Sequence, residues 1–409
     1  MFNARLINST IYNALAQTGN PKSQFQTPSL TPVNGPLFPQ ILSTSAGVTP
    51  NVIYFDPHFQ LPQIHQADLT VDQDLGWNTV LSVSWLGAFG RELPNFIDTN
   101  LPAPVSVTYT VVNSNPSAFS ALPNNAQYTS NLYGYAVNSA GKTSPGQILR
   151  PNSSYGAMTD IVSNVNSKYN ALVFQVQHRL SHNIQFQSSY TWSHVLDFNE
   201  NNTTFSNSSS ILDPRNFHLE YGNGNQNIPN RVIATAIINS PWKATGWKSY
   251  LVNGYELAPS FSAQNGAPYS AVITGNPSAL VTSGFSTGYV TGVSSGYTGT
   301  GGSTRIPGLQ RNTFAQPRTI LLDLRGSKRF TVHEGYTLEL LAEAFNLANH
   351  QNVTAVNTTA YTLGTTTANG VTTNTLSQFL GSTFGAATNS NNNNIYSPRQ
   401  IQLGARLQF

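Results

Sequence analysis

The chain ends on Ser397-Pro-Arg-Gln-Ile-Gln-Leu-Gly-Ala-Arg-Leu-Gln-Phe409, a stretch that alternates without a break. In an extended strand, Ile401, Leu403, Ala405, Leu407 and Phe409 share one face, and Gln400, Gln402, Gly404, Arg406 and Gln408 share the other. An apolar face opposite a polar one, sustained over about nine to eleven residues, is what a membrane-spanning β-strand needs. The edge of a soluble sandwich alternates in the same way, so this strand alone leaves both readings open.

Segments of the same period recur upstream. From His65 to Leu75, the residues Ala67, Leu69, Val71 and Leu75 oppose Asp68, Thr70, Asp72 and Asp74. From Trp77 to Phe89, Leu81, Val83 and Trp85 oppose Asn78, Ser82 and Ser84. From Asn170 to Leu180, Leu172, Phe174 and Val176 oppose Gln175, Gln177 and Arg179, and from Asn183 to His194, Ile184, Phe186, Tyr190 and Trp192 oppose Gln185, Gln187, Ser189 and Thr191. Further strands are expected at Asn230 to Ser240, Tyr250 to Gln264, Arg318 to Thr331 and Tyr336 to Leu347, with a first one near Phe2 to Asn8, giving about ten.

The connections alternate in length. Tight turns are expected at Leu75-Gly76-Trp77, Ser181-His182-Asn183, Trp242 to Trp247 and His333-Glu334-Gly335. Between them lie long stretches read as irregular: about 9 to 62, 92 to 167, 197 to 229, 266 to 316 and 349 to 396. Such loops count against a compact soluble domain, whereas short periplasmic turns alternating with long extracellular loops are the rule in outer-membrane barrels. Thr282 to Thr304 is nearly all Gly, Ser and Thr, and Asn389 to Asn394 nearly all Asn, compositions that bury no core by themselves.

Composition points the same way. Only 9% of the 409 residues are charged, against roughly 25% in a typical soluble domain, and 11% are aromatic. No run of eighteen apolar residues occurs, which excludes a transmembrane helix from the sequence. The absence of cysteine excludes a disulfide framework, and a net charge of +3 without a basic cluster argues against nucleic acid as a partner. Met1 to Thr10 has no apolar h-region and does not read as a signal peptide.

One hairpin can be set in register. With Leu322 and Leu324 on the same face as Leu338 and Leu340, the residue numbers paired across the turn must sum to an even number. A three-residue loop at His333-Glu334-Gly335 then places Arg329 opposite Glu339 and Arg325 opposite Glu343, as lumen-facing cross-strand ion pairs.

These residues resemble the β-barrel of TonB-dependent receptors of the Oar-like group found in Acidobacteria and related Gram-negative bacteria. The resemblance is carried, in order, by Leu61 to Gly76, Thr79 to Leu93, Tyr169-Asn-Ala-Leu172, Ser189-Tyr-Thr-Trp-Ser-His194, Asp213-Pro-Arg-Asn216, Glu343-Ala-Phe-Asn-Leu-Ala-Asn-His350 and Pro398 to Gly404. Asn227-Ile-Pro-Asn-Arg231 departs from it, since related sequences more often carry Asp and His before the Arg. The resemblance implies that residues 1–409 form the carboxy-terminal part of a larger barrel of about twenty-two strands, with the plug and amino-terminal domains absent. The expected fold is therefore all-β, an antiparallel up-and-down transmembrane β-barrel portion, incomplete as a barrel. Its two open edges would each leave backbone groups unpaired in lipid.

No catalytic, cofactor or metal site is expected. Gly292-Val-Ser-Ser-Gly296 fits a nucleophile elbow, but that motif needs a strand before it and a helix after it, and here it sits in a Gly/Ser/Thr loop. The eight histidines are scattered, and His178 and His182 flank a turn where a metal-binding pair would need helical spacing. Asp197, Glu200 and Asp213 lack regular calcium-ligand spacing. Asp68, Asp72 and Asp74 read as solvated lumen carboxylates, together with Arg325, Arg329, Glu339, Glu343 and Arg406. The five tryptophans read as interfacial girdle, and Phe409 resembles the terminal aromatic recognised by the barrel-assembly machinery.

The function this implies is binding and energy-coupled import of a large or scarce solute across the cell outer membrane, without covalent chemistry. Its partners would be outer-membrane lipid, the assembly machinery and an unknown solute, with the TonB energy-coupling complex engaged in a full-length relative. An autonomous small barrel acting as pore or protease, and a soluble β-rich surface or adhesin protein, are the alternatives.

Overall fold

The computed structural model describes residues 52–409 except 102, 116–120, 133–134, 138–142, 149, 199–210, 214, 275–303, 307, 334–335, 380–382 and 392–395. Its main sheet is a wall of nine long strands: β1 (Gln63–Gly76), β2 (Thr79–Asp98), β3 (Met158–Ser181), β4 (Ile184–Asp197), β5 (Asn230–Asn239), β6 (Tyr255–Gln264), β7 (Thr319–His333), β8 (Tyr336–Phe345) and β9 (Gln400–Gln408). Each pairs antiparallel with its sequence neighbour, and two short strands, Val52–Phe55 and Gly222–Asn223, add to β3 and β4. Among the described residues β1 and β9 are the ends of this path and do not pair with each other, so the wall is open. The strand expected near Phe2 to Asn8 and the motif at Gly292 to Gly296 lie outside the described residues.

Register makes the two faces continuous. Trp85 pairs with Leu172 and Leu172 with Trp192, while Ser82 pairs with Gln175 and Gln175 with Ser189. The same parity holds across the other strands, so most apolar residues fall on one face and most polar ones on the other; Ile233, Ile237, Leu321 and Leu341 stand on the polar face and Lys328 on the apolar one. The apolar face is bare: Leu403 is 83% exposed, and Leu69, Val71, Trp192 and Ile401 are also exposed. A surface of that kind is uncharacteristic of a protein surrounded by water.

The turns differ in detail from expectation. The first is centred on Trp77 and Asn78, one residue beyond the expected position, and the second on His182 and Asn183; all four have positive φ, as two-residue type I′ hairpins require. In the third, Tyr250 does not begin a strand: Gly246–Lys248 and Ser249–Val252 make helical turns, and β6 starts at Tyr255. At the fourth, His333 pairs with Tyr336 after a register shift, which replaces the three-residue loop but keeps the expected pairing further up the hairpin.

The largest correction concerns the long stretches, whose described residues include regular strands. Residues from three of them build a second sheet, in the order Val272–Thr274, Thr359–Ala368, Val371–Gln378, Val105–Val112, Gln127–Leu132. Two of its pairings are parallel, and these join strands from different connections. Tyr109, Tyr361, Leu376 and Ile306, all at 0% exposure, anchor its core with Leu122, Leu212 and Ile273. Burial is thus inverted: the wall exposes its apolar side chains, and the packed core sits in the connections.

Candidate functional site

The polar face of the wall carries two charged groups, far apart along the sheet. At the β1 edge, Asp68, Asp72 and Asp74 lie on one face of the strand. Ser82 donates a 2.5 Å hydrogen bond to Asp72, and Thr70 and Ser84 share one of 2.9 Å. Asp74 accepts the amide of Gly76 at 2.8 Å, which braces the first turn.

The second group spans β6 to β9. Arg325 stands opposite Glu343 and Arg329 opposite Glu339, as the register predicts, with N–O separations of 3.8 and 3.5 Å. Glu339 in turn stands opposite Arg406, so a row of alternating sign crosses three strands. Arg329 also lies 3.8 Å from Glu256, a residue that sequence reading missed. Its position in β6 is on the polar face, and strict alternation from Tyr255 would have found it. Glu339 is buried while Arg325 and Arg329 are half exposed, so the pairs fix the positions of long side chains and contribute little stability each.

Among the described residues, the connections take part in three further arginine–carboxylate pairs that the sequence did not reveal. Glu220, fully buried, accepts from Arg305 Nη2 and from the amide of Leu212, both at 2.6 Å. Arg311 pairs with Asp197 at the end of β4 and donates to the carbonyl of Glu220 at 3.2 Å, tying two of the long connections to the wall. Arg150 and Asp98 pair at 2.7 Å. Burial lowers the pKa of Arg305, partly countered by Glu220, and pulls that of Arg311 down to about 10. Their spacings in sequence are irregular, so no motif marks them.

Several weighed residues have structural employment. Asp197 is engaged by Arg311, and Asp213 accepts a 2.9 Å hydrogen bond from Asn131; Glu200 lies outside the described residues. His178 is bonded at both ring nitrogens, to Thr79 at 2.8 Å and Ser181 at 2.9 Å, and stacks on Phe186. His182 is a turn residue. Among the described residues no three His, Asp or Glu side chains gather as a metal site.

The stretch Glu343 to His350 now has a physical account. Asn346 and Asn349 have positive φ of 48° and 50°, which turns the chain out of β8. The buried amide of Asn346 donates to the carbonyls of His350 and Ser397 at 3.0 Å each, and its backbone N–H donates to Asp323 at 2.8 Å. Asn352, also buried, accepts from the amide of Ile320 at 2.7 Å. Together they clamp the base of the last long connection where it leaves and rejoins the wall.

The tryptophans sit at two levels. Trp77, Trp242 and Trp247 lie on the short-turn side, and Trp85 and Trp192 stand level with each other on the apolar face toward the long connections. The run from Trp77 to Trp85 is about 26 Å of strand, close to the roughly 25 Å apolar band of a membrane barrel. Phe409 follows β9 and is 93% exposed.

Comparison with known proteins comes to bear here. The sequence profile of the family described as outer membrane beta barrel domain matches residues 2–402. No curated protein matches the chain. Among solved structures, the outer membrane transporter YddB from Escherichia coli is similar over 88% of this chain and 34% of that one, at 11% identity and a TM-score of 0.35. The chain spans about a third of that transporter's length.

Proposed function

Because the chain belongs to the outer membrane β-barrel domain family and so resides in the cell outer membrane, we propose that it is the barrel part of a TonB-dependent transporter of the Oar-like type. In this reading the bare apolar face meets lipid, the polar face with Asp68, Asp72, Asp74, Arg325, Arg329, Glu339, Glu343 and Arg406 lines the lumen, and the long connections lie outside the cell.

The inversion of burial carries the proposal. A lipid-facing wall needs no core of its own, whereas a solute-capturing surface must hold its shape in water, and the packed second sheet supplies that rigidity. Import then consists of capture by the connections and gated passage along the charged face, with no bond made or broken. A plug and an energy-coupling segment would be supplied from outside residues 1–409. The barrel-assembly machinery would read Phe409, an exposed aromatic that follows β9.

Sequencing upstream of the Met1 codon and deleting the locus test this. An in-frame plug, with loss of uptake of one scarce solute that an energy-uncoupled strain also loses, supports the reading. A self-contained locus whose purified product conducts ions as a fixed pore in planar bilayers overturns it in favour of an autonomous barrel.

A further inference from the structure

The lipid-facing side of the wall is not uniformly ridged. One row of residues crosses five strands in direct register: Ile238, Leu257, Gly326, Ala342 and Leu403. Two small residues in the middle of a row of large ones leave a trough. It is an open depression of about 590 Å³ with an almost wholly apolar lining, in the range that holds a small-molecule ligand, about 300–1,000 Å³.

Gly326 is not there for backbone reasons. Its φ is not positive, and a Cβ built on it would meet nothing nearer than Leu257 Cδ1 at 4.0 Å. A glycine inside a strand weakens it and usually marks a close approach of backbone or ligand. No backbone approaches here, so the space is left for a ligand.

The trough opens toward the short-turn side beside a cation. Lys328 stands opposite Tyr255, one row from Gly326, and is only 8% exposed. Its ammonium donates to the carbonyl of Asn253 and lies 4.0 Å from the Tyr255 ring centroid. It has no carboxylate partner among the described residues, although Glu256, Glu339 and Glu343 on the opposite face are paired with arginines. The adjoining β5–β6 connection, residues 240 to 254, adds Lys243, Lys248, Trp242 and Trp247 and contains no Asp or Glu. An apolar trough beside lysines without a carboxylate partner among the described residues, and beside interfacial tryptophans, is complementary to an anionic amphiphile.

We propose that this trough seats an acyl chain of an anionic phospholipid of the inner leaflet, its phosphate held by Lys328, Lys243 and Lys248. The inference depends on the outer-membrane location and not on the solute or the energy coupling.

The full chain is refolded into nanodiscs containing equal amounts of phosphatidylglycerol and phosphatidylethanolamine, and bound lipids are counted by native mass spectrometry. Wild type is expected to retain phosphatidylglycerol preferentially, by about fivefold for each lysine engaged. Gly326→Leu, which fills the trough, abolishes the retained lipid, whereas Lys243→Gln with Lys248→Gln keeps a lipid and loses most of the headgroup preference. Heat-modifiable migration on gels reports that each variant has folded. Equal retention of the two headgroups by wild type overturns the proposal, and so does unchanged retention by Gly326→Leu or a dimer found in place of lipid adducts. Should Gly326→Leu fail to fold, wild-type tryptophan quenching decides: brominated phosphatidylglycerol must quench more than brominated phosphatidylcholine, and equal quenching refutes the site.

Discussion

Glu220 is sealed from solvent, and it draws on donors from different parts of the chain, Arg305 and the Leu212 amide among them. Breaking a buried pair from one side leaves an uncompensated charge, so Glu220→Gln should destabilise the second sheet by about 3–5 kcal/mol. Faster hydrogen exchange at residues 105–112 and 371–378, with the wall unaffected, checks this. Replacing Glu220 and Arg305 together by methionine should recover much of the loss. Tyr361 plays a smaller part of the same kind, since its hydroxyl donates to Asn113 at 3.1 Å and accepts from the Leu122 amide at 3.0 Å. Burial raises its pKa, so it stays protonated well into alkaline solution. Tyr361→Phe should cost about 1–3 kcal/mol by the same readout. Arg311 adds a pH argument. A cation whose pKa is lowered on folding opposes folding at all pH below that lowered value, here about 10, and the opposition is constant well below it. Its titration therefore adds no slope to stability between about pH 6 and 8, and a measured slope there must come from other groups.

Among elements, β9 allows the sharpest comparison, because neighbouring positions face different solvents. Leu403→Arg should cost about 2–4 kcal/mol in a vesicle refolding equilibrium, and Gln402→Arg close to nothing. Equal costs would contradict the assigned faces. This strand and its partners were legible because lipid demands an apolar side chain at every second position, a constraint local enough to be read residue by residue. The Arg325–Glu343 and Arg329–Glu339 pairings followed from that parity together with a three-residue loop; the pairings hold in the structure although a register shift replaces that loop. The turns were legible less exactly, as their positive-φ residues, Trp77 with Asn78 and His182 with Asn183, are fixed by strand twist more than by side chain. The second sheet escaped notice because its strands lie inside connections rich in Ser, Thr and Asn and pair across distant parts of the chain, although Val105, Val107, Tyr109 and Val111 alternate as plainly as a wall strand. One signal was present: Thr359 to Gln378 is a Thr-rich repeat folded about Asn369-Gly370, both at positive φ, a two-residue hairpin signature. Glu220, Arg305 and Arg311 left no such trace, because each meets its partner only after the connections have packed.

At the scale of the whole molecule, the wall and the second sheet are assembled by opposite logics. Every wall pairing joins strands adjacent along the path from β1 to β9, so hairpins can form and zip in order. The second sheet depends on parallel contacts such as Tyr109 with Asn374 and Leu376 with Val111, which must close a loop of more than two hundred residues. Such contacts are slow to form, and neither partner strand is stable alone. In a refolding time course with pulsed hydrogen exchange, protection at residues 170–190 should appear first. Protection at 105–112 should arrive later, in the same kinetic phase as that at 371–378, and its appearance before the wall would contradict this order. The strands at residues 359–378 would therefore act as a completion signal. Until residues 371–378 have crossed the membrane, residues 105–112 have no neighbour on one edge, so a stalled or truncated molecule presents an unfinished outer surface that proteases can distinguish from a finished one.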